Sequence, residues 1–112
     1  MKLQKIIEGL ALEVKTKTHD LTKEVTGGYA SDLLSDVIAN TKEGNVWVTI
    51  QTHINIVAVA ALKELSGIIL ANGKVPDEDT LKKADDEGMP IMITTLPAFE
   101  VVGRLYTLGL RC

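Results

Sequence analysis

From Trp47 onward the chain alternates between two apolar periods, and that alternation limits its fold more than any other feature. Residues 46–52, Val-Trp-Val-Thr-Ile-Gln-Thr, predict a strand, being dominated by β-branched and aromatic side chains. A helix is expected over residues 55–65, with Asn55 as its N-cap and Gly67 beyond its end. Residues 56–62 are apolar nearly all round, which predicts burial on more than one side. Residues 68–71 form an unbroken apolar run, as in a strand covered on both faces. Pro76-Asp77-Glu78-Asp79 then opens a helix with acids in its first turn, where the helix dipole favours them, and Gly88 closes it. Residues 90–94 predict a further strand. Pro97 starts a last helix that is expected to carry Phe99, Val102, Leu105 and Tyr106 inward, with Glu100 and Arg104 paired outside. Strand and helix alternating through short connections imply a mainly parallel sheet with right-handed crossovers. The strands near residues 46–52, 68–71 and 91–94 should therefore be mutually parallel and flanked by helices.

The first third of the chain is less regular. Leu3, Ile6, Ile7 and Leu10 lie on one face of a short amphipathic helix. A short strand is expected over residues 12–16, irregular chain over residues 18–23, and a second short strand over residues 24–26 leading to Gly27-Gly28. Ser31 is a good N-cap for a helix with the stripe Leu33, Leu34, Val37, Ile38, stopped by Gly44. With 112 residues, and neither a repeat nor a linker, the chain reads as one domain over residues 1–112. Aromatic residues make up only 4% of it, so the core must be aliphatic.

Several function classes are disfavoured. A net charge of −3 without a basic cluster argues against nucleic acid, and so few aromatic residues offer no stacking platform for single strands. One cysteine, Cys112, cannot form an intrachain disulfide, which fits a reducing compartment. No apolar run is long enough for a signal peptide or a membrane span, so a cytoplasmic location is expected. Neither GxxxxGK[ST] nor GxGxxG occurs, and GxSxG is missing too. His19 and His53 have no cysteine partner and no HExxH spacing, so no metal site and no cofactor is expected.

In open parallel sheets, ligands collect beyond the carboxyl ends of the strands. Those ends carry Thr52, His53 and Asn55, then Asn72, then Thr95. Gly27-Gly28, following Thr26 and shortly preceding Ser31, could place glycine backbone beside free helix N–H groups and cradle an anion. The expected ligand-binding set is thus Thr26, Gly27, Gly28, Ser31, Thr52, His53, Asn55, Asn72 and Thr95, converging on one rim. The plainer alternative is that these residues cap helices and form turns, with Gly27-Gly28 at positive φ. His53 alone resembles a general base, and no Ser or Cys nucleophile is evidently paired with it. The acids at positions 77–79 and 85–87 around Lys82 and Lys83 read as a solvated helix face.

Glu24-Val25-Thr26-Gly27-Gly28 and the following Tyr29-Ala30-Ser31-Asp32-Leu33-Leu34-Ser35-Asp36 resemble the core of the DRTGG domain. The resemblance continues through residues 46–60, through Gly88-Met89-Pro90-Ile91 and through residues 99–106. In all it covers roughly residues 3–110. Thr26-Gly27-Gly28 match the eponymous motif, while Glu24 and Val25 stand where the family name has Asp and Arg. The resemblance implies a three-layer α/β/α domain, similar to the N-terminal domain of HPr kinase/phosphorylase. It also implies an accessory role like that of DRTGG domains beside the catalytic or CBS domains of phosphate acetyltransferases and regulated pyrophosphatases. A kinase activity is not implied, because nothing here can hold ATP–Mg²⁺.

The expected function is a non-catalytic regulatory or ligand-binding module, sensing a small anionic metabolite or nucleotide or acting on a partner protein. The alternatives are a structural or oligomerisation domain without a ligand, and an enzyme with a site around His53. The apolar helix over residues 55–65, together with Trp47 and Tyr106, suggests a homo-oligomer, most simply a two-fold dimer.

Overall fold

A computed structural model describes residues 1–17 and 20–112. Thr18 and His19, parts of the irregular segment and of the histidine count above, lie outside the described residues. The elements run in the order α1 (Leu3–Leu10), β1 (Glu13–Val14), β2 (Gly27–Ala30), α2 (Leu34–Asn40), β3 (Asn45–Thr49), α3 (Asn55–Leu62), β4 (Gly67–Leu70), α4 (Glu78–Glu87), β5 (Ile91–Ile93) and α5 (Ala98–Leu108). The sheet order is β1-β5-β4-β3-β2. Strands β2 to β5 are parallel, and only β1 is antiparallel, to β5. This is the parallel βαβ arrangement that the alternating pattern implies.

The two faces of the sheet are covered by different helices. Val46, Val48, Ile69 and Met92 point to α1 and α5, where they meet Leu3, Ile6, Leu10, Val101 and Leu105. Trp47, Ile68, Leu70 and Ile91, the alternate positions, pack on α2, α3 and α4 through Val37, Ile56, Val57, Ala60 and Ala84. Helices α2, α3 and α4 share one face because three successive right-handed crossovers advance the sheet in one direction. Three layers result.

Several local expectations are corrected. Gly27-Gly28 is neither a turn nor a segment at positive φ; both residues belong to β2, in register with Asn45 and Val46. Their smallness has another cause: a Cβ on Gly27 would lie 2.5 Å from the Arg111 carbonyl oxygen. The C-terminal segment crosses the edge of β2 there, and Gly28 N–H donates to that carbonyl at 3.1 Å. Ser31 does not cap α2, which starts at Leu34; its hydroxyl accepts from Leu33 N–H. Asn55 is the first residue of α3, and its side chain forms no capping bond. β3 ends at Thr49 rather than residue 52, because the Asp32 carboxylate takes Ile50 N–H and leads the chain out of the sheet. In α5, Val101 and Leu105 are buried, whereas Phe99, Val102 and Tyr106 face outward with exposures of 91%, 40% and 58%.

Helix α1 ends at Ala11, which takes the left-handed conformation (φ 52°) while Leu12 N–H bonds back to the Ile7 carbonyl. That closure favours glycine, because a Cβ is strained there. Ala11→Gly should therefore stabilise the fold by roughly 1 kcal/mol, read as a higher urea midpoint with an unchanged slope. A lower midpoint would show that the left-handed closure is not strained.

Candidate functional site

The candidate residues divide between the two ends of the sheet. Thr26 and Gly27 lie at the amino end. The Thr26 hydroxyl donates to the Glu43 carbonyl at 2.8 Å and accepts from Asn45 Nδ2 at 3.2 Å, so it is engaged in structure. The recess beside it is lined by Glu24, Glu43, Glu64 and Glu87 with Lys23. A hydrogen bond with Glu43 holds the Glu64 carboxyl above the usual carboxylate range. Acids predominate here, which makes this end hostile to an anion, and the helix N-termini open at the opposite end. Gly28 lies along β2, level with Val46 rather than with the rim. The single rim expected to unite Thr26, Gly27 and Gly28 with His53 is therefore not formed. Strand geometry keeps them apart, since β3 must cross from Val46 to Thr49 before the chain reaches His53.

Ser31, Thr52, His53, Asn55, Asn72 and Thr95 do share the carboxyl end. Thr49 pairs with Leu70 and Leu70 with Ile93, so the loops that follow leave the sheet at one level. Two further acids shape this rim. Asp32 accepts from Thr49 Oγ1 at 2.7 Å and Ile50 N–H at 2.9 Å, and its carbonyl accepts from Gln51 Nε2. His53 Nδ1 lies 3.7 Å from Asp77 Oδ2, with both side chains exposed. The Thr52 carbonyl ties the rim to α4 by accepting from Asp77 N–H and from Thr80 Oγ1. Asn72 (φ 61°) and Gly73 (φ 72°) form the turn after β4 and donate their N–H groups to the Leu96 and Thr94 carbonyls.

Sequence reasoning missed Asp32 and Gln51 because nothing in their spacing marks them, yet they organise the β2–β3 part of this rim. Ser31 is anchored by its carbonyl, which accepts the indole N–H of Trp47 at 2.8 Å. Hydrogen bonds from Ser31, Tyr29 and Asn40 hold the Asp36 carboxyl below its ordinary range, and the bond to Asp36 raises the Tyr29 phenol. By linkage this network helps hold the β2–α2 connection at neutral pH, and its contribution is lost as pH falls through the lowered Asp36 value. Among the described residues no group of three or more His, Cys, Asp or Glu could hold a metal ion. No helix among them is long and apolar enough to cross a membrane.

No protein-family model matches the chain, and no curated protein matches it. A crystal structure of the CBS and DRTGG domains of the regulatory region of Clostridium perfringens pyrophosphatase, complexed with the activator diadenosine tetraphosphate, matches it with a TM-score of 0.69. The match covers 98% of this chain at 15% identity. The fold is DRTGG-like. This chain spans 47% of the matched one, so the likeness concerns the domain and not the whole pyrophosphatase region. Within the DRTGG-like fold, the two positions that depart from the eponymous motif have structural roles. Val25 is buried in the α1/α5 core, and Glu24 pairs with the N-terminal amine and Lys2.

Proposed function

We propose that the chain is a regulatory binding module without catalytic chemistry, and that its ligand contacts are Thr52, His53, Asn55, Asn72 and Thr95. The observation that carries this reading is the state of the polar groups at the carboxyl rim. The hydroxyls of Thr49 and Thr80, together with the Asp32 carboxylate, are engaged in structural hydrogen bonds. The side chains of Asn55, Asn72 and Thr95 are exposed and make no hydrogen bond among the described residues. What remains on offer is a set of amides, hydroxyls and one imidazole beyond the three parallel strands β3, β4 and β5, where α3, α4 and α5 begin. Such groups bind a small polar molecule, and among the described residues no Ser or Cys side chain is hydrogen-bonded to the His53 imidazole as a nucleophile would be. The pyrophosphatase regulatory region that contains the like-folded domain is complexed with a dinucleotide activator, which favours nucleotides and other phosphorylated metabolites as the ligand class.

Thermal melting in the presence of nucleotides, diadenosine tetraphosphate included, tests the reading. A ligand at about a hundredfold above its Kd stabilises the fold by about 2.7 kcal/mol, which raises Tm on the order of 10 °C for a domain of this size. His53→Ala with Asn72→Ala should remove most of that shift, while Gly28→Val should keep its ligand response. Equal shifts in wild type and the double variant would remove the rim from the site. A second reading, association with a protein surface, is favoured by the outward face of α5.

A further inference from the structure

Independently of the rim, we infer that α5 pairs antiparallel with α5 of a second copy, each copy's Phe99 entering a pocket on the other. Phe99, Val102, Gly103 and Tyr106 fall at i, i+3, i+4 and i+7, one face of the helix, opposite the buried Val101 and Leu105. Phe99 is 91% exposed, the largest exposure among the exposed large hydrophobic side chains. Gly103 lies at the middle of this face, and a Cβ built on it meets nothing within 4 Å, so a second backbone can approach closely there.

The same face carries a receptacle. Beside Val102 and Tyr106, a half-open apolar pocket of about 180 Å³ lies between α5, Ala30 of β2, Val48 of β3 and Leu110. It exists because β2 presents only Gly28 and Ala30 to this side of the sheet. A cavity of about 150 Å³ is enough to take up a benzene ring, so the volume suits a phenyl group. Knob and hole thus occur together on one surface, which is the requirement for a self-complementary two-fold interface.

Position along the helix fixes the direction. A two-fold axis passing between Val102 and Gly103 sets Phe99 of one copy level with Tyr106 of the other, at the mouth of the pocket. The same axis brings Glu100 of one copy within one residue's rise of Arg104 of the other, on the flank away from the pocket. Opposite charges then meet on both sides of the axis; a parallel two-fold pairing would turn the two charged flanks to opposite sides of the helix pair, where these charges do not meet. Within one chain these two side chains pair at 3.1 Å, so they can exchange partners on association.

A helix of 11 residues is roughly 16 Å long. Two such helices alone bury less than the roughly 1,200 Å² of a standard interface. Tyr29, Ala30 and the segment 110–112 must therefore contribute, and the association should be micromolar rather than nanomolar.

Sedimentation velocity over a concentration series from low micromolar to near-millimolar, under reducing conditions, tests the proposal. The wild-type chain should pass from monomer to dimer. Phe99→Glu should remain monomeric throughout, with a Tm equal to that of the wild type at the low micromolar concentrations where the wild type is a monomer, since the side chain is exposed there. Glu100→Arg and Arg104→Glu should each weaken the dimer about tenfold, and the double reversal should restore it. A wild-type chain that stays monomeric at near-millimolar concentration would overturn the proposal. So would a dimer that survives Phe99→Glu, or a double reversal that is no tighter than either single one.

Discussion

Trp47→Ala should cost about 3–5 kcal/mol, a large part of the roughly 5–15 kcal/mol that holds a domain of this size together. Trp47 has no exposed surface and packs with Val37, Ile56 and Ile68 where β3 meets α2 and α3. Its truncation leaves a void that β3, paired with β4 on one side and β2 on the other, cannot close by moving. It also removes the indole N–H from the Ser31 carbonyl. Trp47→Phe separates the two effects. It keeps most of the packing and leaves the carbonyl unpaired, at a cost of about 1–3 kcal/mol. Urea unfolding of both variants measures the difference. A loss in Trp47→Ala no larger than in Trp47→Phe would mean that the hydrogen bond, and not the packing, dominates this position. In Trp47→Phe the segment carrying Ser31 and Asp32 should also loosen, which amide hydrogen exchange at residues 31–33 reads directly.

Gly27→Val has the second largest expected effect, about 1–3 kcal/mol of overpacking, together with loss of the docked C-terminal segment. The atom a Cβ would meet at 2.5 Å is the Arg111 carbonyl oxygen, and the next is Asn45 Nδ2 at 3.2 Å. Backbone cannot yield as a flexible side chain can, so residues 110–112 must leave the edge of β2. Gly28 N–H then loses its acceptor and the strand edge opens, an arrangement that invites aggregation. Gly28→Ala is the control. Its tightest Cβ contact is the end of the Leu110 side chain, at 3.2 Å, which can rotate away, and Val46 Cγ1 at 3.8 Å is an ordinary contact. Gly28 should therefore gain hydrogen exchange in Gly27→Val, whereas Gly28→Ala should unfold close to wild type. Similar losses in both variants would show that the crowding at Gly27 is not the cause.

The fold was legible wherever a segment's own period reports its surroundings. The unbroken apolar run at residues 68–71 and the β-branched run from Val46 identified two central strands, because both faces of each are covered. β2 is not legible locally because Tyr29 is the one strand-favouring residue of Gly27-Gly28-Tyr29-Ala30. Its place is set by pairing with β3 and by the close passage of the C-terminal segment, and neither is a local property. Helix α5 carries apolar residues on two faces, and local periodicity does not say which one the sheet covers. Of the expected inward set Phe99, Val102, Leu105 and Tyr106, the sheet covers only Leu105, and it takes Val101 in place of the other three.

The site divided along the same line. His53, Asn55, Asn72 and Thr95 followed from the rule that parallel strands end at one rim, because that rule needs only the order of elements. Thr26 and Gly27 were drawn to the same rim by their nearness in sequence to Ser31. With Gly27-Gly28 forming a strand instead of a turn, the length of β2 separates them from it.

The most direct measurement of the central claim is a titration of isotope-labelled protein with diadenosine tetraphosphate and simpler nucleotides, followed by amide chemical shifts. Saturable shifts are expected at residues 52–55, 72–74 and 94–96, with the amino-end residues Thr26, Gly44 and Ser66 unmoved. Saturable shifts centred on those amino-end residues, or no shift with any nucleotide at millimolar concentration, would contradict that claim.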